Sequence, residues 1–157
     1  MSQPSQEILS EIKKAVSRHA ESEHVAYEDE MQSLNVVGES FHSGDLTRIL
    51  RADREANLQL PEEEGSDWYS GYLQPEPSNP YDSNAVKVVL IEPTSEGLRS
   101  VDVGYLGRDQ AKRVQKKIIK IMNRGSYIPL LLKLHGGTSS FPNVGVMAKA
   151  MTTEVKF

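Results

Sequence analysis

Apolar and polar positions follow two rhythms along this chain, and the change from one to the other marks out its elements. From residue 5 to 30 the apolar positions recur at helical spacing: Ile8, Ile12, Val16 and then His19 lie four, four and three apart, with Leu9, Ala15 and Ala20 beside them. That spacing predicts a helix. Ser5 is its expected N-cap, and Glu7 and Glu11 fall in the first turns, where the helix dipole favours negative charge. After Glu21 the stripe fades and acids dominate as far as Glu30. The expected organisation is an N-terminal helical extension over 1–30, which packs on the rest or pairs with a second copy, and a β-barrel unit over 31–157.

Beyond this helix the period shortens. Leu34 to Phe41 reads as a strand interrupted by Gly38, and a glycine inside a strand marks a bulge or a close backbone approach. Thr47 to Leu58 suits a short helix, and the acidic stretch around Glu62, Glu63 and Glu64 suits a loop. Trp68 to Leu73 is strand-like; Ala85 to Ile91 is almost continuously apolar, which predicts a central strand. Leu98 to Tyr105 returns after a turn. Asp109 to Asn123 carries Ala111, Val114, Ile118, Ile121 and Met122 on one helical face, with Gly125 just past its end. Tyr127 to His135 and Val144 to Thr153 are the last two strands, around a Gly-Gly-Thr-Ser-Ser loop and Phe141-Pro142. Short strands with glycine corners and one internal amphipathic helix predict a mainly β, α+β fold: a small closed or nearly closed barrel.

Composition narrows the chemistry. Cysteine is absent, so disulfides, thiol nucleophiles and cysteine metal sites are excluded. The longest apolar run, Ile128 to Leu132, is far too short to span a bilayer, and no basic-then-apolar leader opens the chain. A cytoplasmic protein with no membrane partner is expected. The net charge of −4 conceals an asymmetry: residues 1–67 hold fifteen acids against six bases, residues 68–157 seven acids against twelve bases. The densest positive stretch lies on the internal helix, where Arg108, Lys112, Arg113, Lys116, Lys117, Lys120 and Arg124 face a single acid, Asp109. A solvated helix face and a phosphate-attracting surface both account for it, and the local patch rather than the total charge decides which.

The stretch from Glu76 to Val86 carries the most specific chemistry. Two prolines, two asparagines, Tyr81 and Asp82 crowd into one turn that runs directly into the apolar strand. Proline fixes φ, and Asn and Asp bond to nearby backbone, so the turn is expected to be rigid. It either presents a flat ring beside a carboxylate acceptor, or Asp82 only caps a backbone N–H while Tyr81 wedges over the core. Glu76 and Asp82 together are too few acids for an ordinary metal-dependent nuclease. No nucleophile elbow, P-loop or dinucleotide fingerprint occurs. No enzymatic activity, cofactor or metal is expected.

Four segments in order resemble the HIRAN domain: Val36-Val37-Gly38-Glu39-Ser40-Phe41, the run Glu76-Pro77-Ser78-Asn79-Pro80-Tyr81-Asp82-Ser83-Asn84-Ala85-Val86, Val103 to Ala111, and the turn ending in Phe141. The likeness covers roughly residues 33–153. It implies a small OB- or SH3-like barrel that grips the 3′-hydroxyl end of single-stranded DNA, as in fork-remodelling helicases of the Snf2 class, and thus a role in DNA repair. Carried over, Tyr81 and Phe41 stack on the terminal bases and Asp82 accepts the terminal hydroxyl. Asn79 and the backbone of Val37 and Gly38 line the pocket, with Tyr105 and Phe141 at its edge. Ser40 occupies the position where the helicase members carry a phosphate-binding arginine, and Lys112 and Lys116 are candidate phosphate contacts. The implied partners are single-stranded DNA and a separate helicase or nuclease. The alternative is a protein-interaction or dimerisation module with a vestigial pocket, self-associating through residues 5–30.

Overall fold

Asn35 turns one strand into two and so closes the sheet. In the computed structural model, which describes residues 3–21, 31–56, 68–136 and 144–157, the chain runs through β1 (Met31–Leu34), β2 (Val36–Val37), a 3-10 turn (Glu39–His42) and α2 (Ser43–Ala56), after an N-terminal α1 (Gln6–Glu21). It continues through β3 (Trp68–Pro75), β4 (Val86–Thr94), β5 (Gly97–Leu106), α3 (Arg108–Asn123), β6 (Pro129–Gly136) and β7 (Val144–Met151). Every pairing is antiparallel, in the order β1-β7-β6-β3-β4-β5-β2. Because β1 and β2 occupy opposite ends of that order yet are joined at Asn35, the two edges meet in a nearly closed seven-stranded barrel. The corner is fixed from α3: the Asn35 amide donates to Gln110 Oε1 at 2.8 Å, and its carbonyl accepts the Gly107 N–H at 2.8 Å.

The α+β barrel expected from the hydrophobic pattern is the fold observed. One detail differs. The opening strand ends at Val37 rather than Phe41, because Gly38 takes φ 79° and turns the backbone into the 3-10 turn that holds Ser40 and Phe41. Glu39 then reaches β7, where its Oε2 accepts the Val146 N–H at 3.0 Å. The expected extension of the first helix over 22–30, the acidic loop before Trp68 and the loop bearing Phe141 lie outside the described residues.

Two apolar clusters hold the fold. The larger fills the barrel: Leu73, Val86, Val88, Leu90, Val103, Leu130, Leu132 and Ala148 point inward, closed by Leu46, Ile49 and Leu50 of α2 and by Ala111, Val114, Ile118 and Ile121 of α3. The second lies on the outer face of the sheet, where Leu9, Ile12 and Val16 of α1 cover Tyr72, Val89, Ile91, Leu131 and Met151. Burying those three side chains contributes roughly 1.5–3 kcal/mol each, enough to dock α1 on the barrel. Its start is pinned as well, since Gln6 exchanges two hydrogen bonds with the Leu98 backbone, at 2.6 and 2.8 Å. α3 ends in a Schellman arrangement around Gly125 (φ 86°), with Ser126 N–H on Ile121 O at 3.2 Å and Gly125 N–H on Met122 O at 2.9 Å. No described helix is long and apolar enough to cross a membrane.

Candidate functional site

The turn between β3 and β4 is built by its own short polar side chains. Asn79 Oδ1 accepts the backbone N–H of Tyr81 at 2.9 Å and of Asp82 at 3.0 Å, and Asp82 Oδ1 accepts that of Asn84 at 2.9 Å. The neck is closed by the Glu76 N–H on Ala85 O at 2.8 Å and the Ala85 N–H on Asp82 O at 3.1 Å. Asp82 therefore does cap a backbone N–H. Tyr81 does not wedge over the core: it is 89% exposed at the tip.

α3 clamps the turn from one side. Gln115, buried in the helix face, donates Nε2 to Ser83 O at 2.8 Å and to Ala85 O at 3.1 Å. Arg108 Nε lies 3.9 Å from Asp82 Oδ2. Arg108, Lys112 and Gln115 are spaced by four and three and share one helix face. Lys112 thus stands between two groups anchored to the turn, with Lys116 one helical turn further on; both lysines are exposed. Arg108 brings the basic face of α3 up to the turn at Asp82.

The sheet lies on the other side. Val37, Tyr105, Lys87 and Gln74 occupy one register row across β2, β5, β4 and β3, so their side chains leave the same face. Lys87 Nζ bridges Glu76 Oε2 at 3.5 Å and Asp102 Oδ2 at 3.2 Å. Burial and a hydrogen bond to Glu76 push the Tyr105 hydroxyl up to about 12. Burial alone would raise the Glu76 carboxyl, but hydrogen bonds from Tyr105 and Asn79 and the charge of Lys87 outweigh it and hold the group below the usual carboxylate range. A cavity of about 440 Å³ opens here, walled by Asn79 and Pro80 of the turn and by Tyr72, Lys87, Val89 and Asp102.

The expected site residues therefore divide. Asn79 lines the cavity, with Tyr105 and Val37 in the register row beside it. Tyr81 and Asp82 do not line it; they belong to the tip and the α3 side, with Lys112 and Lys116. Gly38 makes the bend that ends β2, and Gly104 lets β5 approach it, because a Cβ there would meet Val37 O at 2.8 Å. Ser40 and Phe41 follow in the 3-10 turn, and Phe141 lies outside the described residues. Two contributors went unread in the sequence. Gln115 was signalled by a polar residue one turn after Ala111 in an apolar stripe, and Lys87 by a lone base inside an apolar strand.

No protein-family model matches the chain. No curated protein matches it either. Among solved structures it is similar to a protein from Lactobacillus plantarum determined by a structural genomics consortium, 21% identical, covering 78% of this chain and 96% of the other with a TM-score of 0.35.

Proposed function

We propose that the chain is a HIRAN-like module that binds the 3′-hydroxyl end of single-stranded DNA without chemistry. The observation that carries this reading is the tip itself: a ring 89% exposed on a hydrogen-bonded turn, beside a carboxylate and flanked by the basic face of α3. The hydrogen-bonded turn keeps the backbone that presents the ring in one place, and stacking tolerates any base. Among the described residues Asp82 Oδ2 has only the distant Arg108 contact, which leaves it able to accept the terminal hydroxyl, and its charge would repel a terminal phosphate. Arg108 takes the phosphate-binding part that Ser40 does not fill, and Lys112 and Lys116 continue the backbone path. A helicase or nuclease working on the same end is the proposed partner.

The test is a fluorescence-anisotropy titration with matched oligonucleotides ending in 3′-hydroxyl or 3′-phosphate. Tighter binding of the hydroxyl end is expected; equal affinity removes Asp82 from its role. The competing reading, an interaction module whose pocket is vestigial, is favoured by the engagement of Asp82 Oδ1 with Asn84. Under that reading the terminal group makes no difference and Tyr81→Ala changes the affinity for neither oligonucleotide. Self-association through the apolar stripe of α1 would require Leu9, Ile12 and Val16 to leave the sheet they cover. Light scattering on the full chain decides it.

A further inference from the structure

The outer face of the sheet is only partly covered by α1. Past Leu131 and Met151 the register places Trp68, Lys133 and Met147 side by side on β3, β6 and β7, with Lys149 and His135 one pleat away on either side. The side chains of Leu132, Leu134, Val146 and Ala148 on the same strands fill the barrel, so this row points outward. Trp68 is 44% and Met147 55% exposed, and Lys133 Nζ stands 5.3 Å from the centre of the Trp68 ring. His135 folds over Gly145, where a Cβ would meet its ring at 2.2 Å, and both it and Lys149 are exposed. Ser33 and Ser70 flank Lys149 and Leu131 in the neighbouring row. Among the described residues on this part of the face there is no acid.

We propose that this face is a second contact surface for single-stranded nucleic acid, independent of the chain end. A large exposed ring, an exposed thioether beside it and two lysines, with no counter-acid among the described residues, complement a strand that offers bases to stack and phosphates to pair. For phosphate attraction the local charge counts rather than the total of −4. Trp68 opens β3 and the Tyr81 turn follows its far end, so the two surfaces lie roughly 23 Å apart at 3.3 Å per residue. A strand held by its 3′ end at the turn reaches this face only if it is long, whereas an interior segment binds it directly.

Trp68 is the only tryptophan, so its fluorescence reports this face alone. The probe is a 3′-phosphorylated oligothymidylate, which lacks the terminal hydroxyl, titrated against the full chain. Quenching of Trp68 is expected, with a log–log salt slope of about −1.4 if the two lysines each neutralise one phosphate. Lys149→Glu is expected to weaken the quenching titration about ten-fold. The proposal is overturned if the oligonucleotide does not quench, if Lys149→Glu changes nothing, or if polyglutamate, which has charge but no bases, quenches with equal affinity. Failure of 3′-hydroxyl discrimination at the turn would leave this outcome untouched, so the two readings fail separately.

Discussion

Gln115 and Ser83 are joined by a 2.8 Å hydrogen bond that ties the basic helix to the recognition turn, and the same amide nitrogen reaches Ala85 O at 3.1 Å. Gln115 is 5% exposed and its bond to Ala85 O is buried, so that carbonyl has no easy substitute in water. Gln115→Leu keeps the volume and removes both bonds, at a cost of about 1–3 kcal/mol. Thermal melting is expected to fall by several degrees, and oligonucleotide affinity at the turn to fall with it. An unchanged melt would mean that the turn holds itself.

Tyr81→Ala separates binding from stability. At 89% exposure the ring contributes little to the fold, so the stability read by thermal melting is expected to change by no more than an ordinary surface substitution does, about ±0.5 kcal/mol. Loss of one stacking platform is expected to weaken single-strand binding by about 1–3 kcal/mol whatever the base sequence. A loss confined to one base would point to hydrogen-bond readout instead.

Gly71 marks the tightest place in the sheet. A Cβ there would lie 2.4 Å from Val89 O and 2.6 Å from Leu132 Cδ1, so backbone has to move as well as a side chain. Gly71→Ala is expected to destabilise by about 1–3 kcal/mol, read by urea denaturation. A neutral result would show that β3 and β4 slide apart without loss.

The acid limb of stability is expected to depend on Glu92. Arg48 binds its two oxygens at 2.6 and 3.0 Å and Arg99 adds a contact at 2.6 Å, linking α2, β4 and β5. The hydrogen bond from Arg48 leads in holding the carboxyl below its ordinary 4.5, against the burial that raises it. A depressed folded value gives stability that is present above pH 4.5 and is lost as pH falls through the folded value. Glu92→Gln is expected to cost about 1–3 kcal/mol at neutral pH and to flatten this limb in pH-dependent melting. An equally steep limb in the variant would assign it to other carboxylates.

The alkaline limb has the opposite sign. Tyr105 titrates near 12 instead of 10, so the folded state keeps its proton longer than the unfolded chain does, and stability declines between those values. Tyr105→Phe removes the titrating group and is expected to flatten melting across that window. It also withdraws a hydrogen bond from Glu76. A decline that persists unchanged in the variant would trace it to other groups.

Much of the architecture was readable because it is locally encoded. The apolar stripe from Ala111 to Ile121 and the glycine at 125 specify α3 and its end without reference to the rest of the chain. The unbroken apolar run after Ala85 specifies an interior strand. The rigidity of the turn follows from Asn79, Pro80 and Asp82, whose bonds span two or three residues. The apolar pattern carries the opening strand to Phe41 because a glycine within a strand suits a bulge, whereas the left-handed φ of Gly38 turns the chain away.

By itself, then, the sequence determined the elements, the barrel class and the stiff turn with its ring and acid, since each depends on interactions between near neighbours. The tertiary structure alone decided that Asn35 closes the sheet, that Gln115 grips the turn, and that Asn79 and Asp82 look to opposite sides of it. Those relations depend on strand register and helix docking between residues far apart in the chain, which no local pattern fixes.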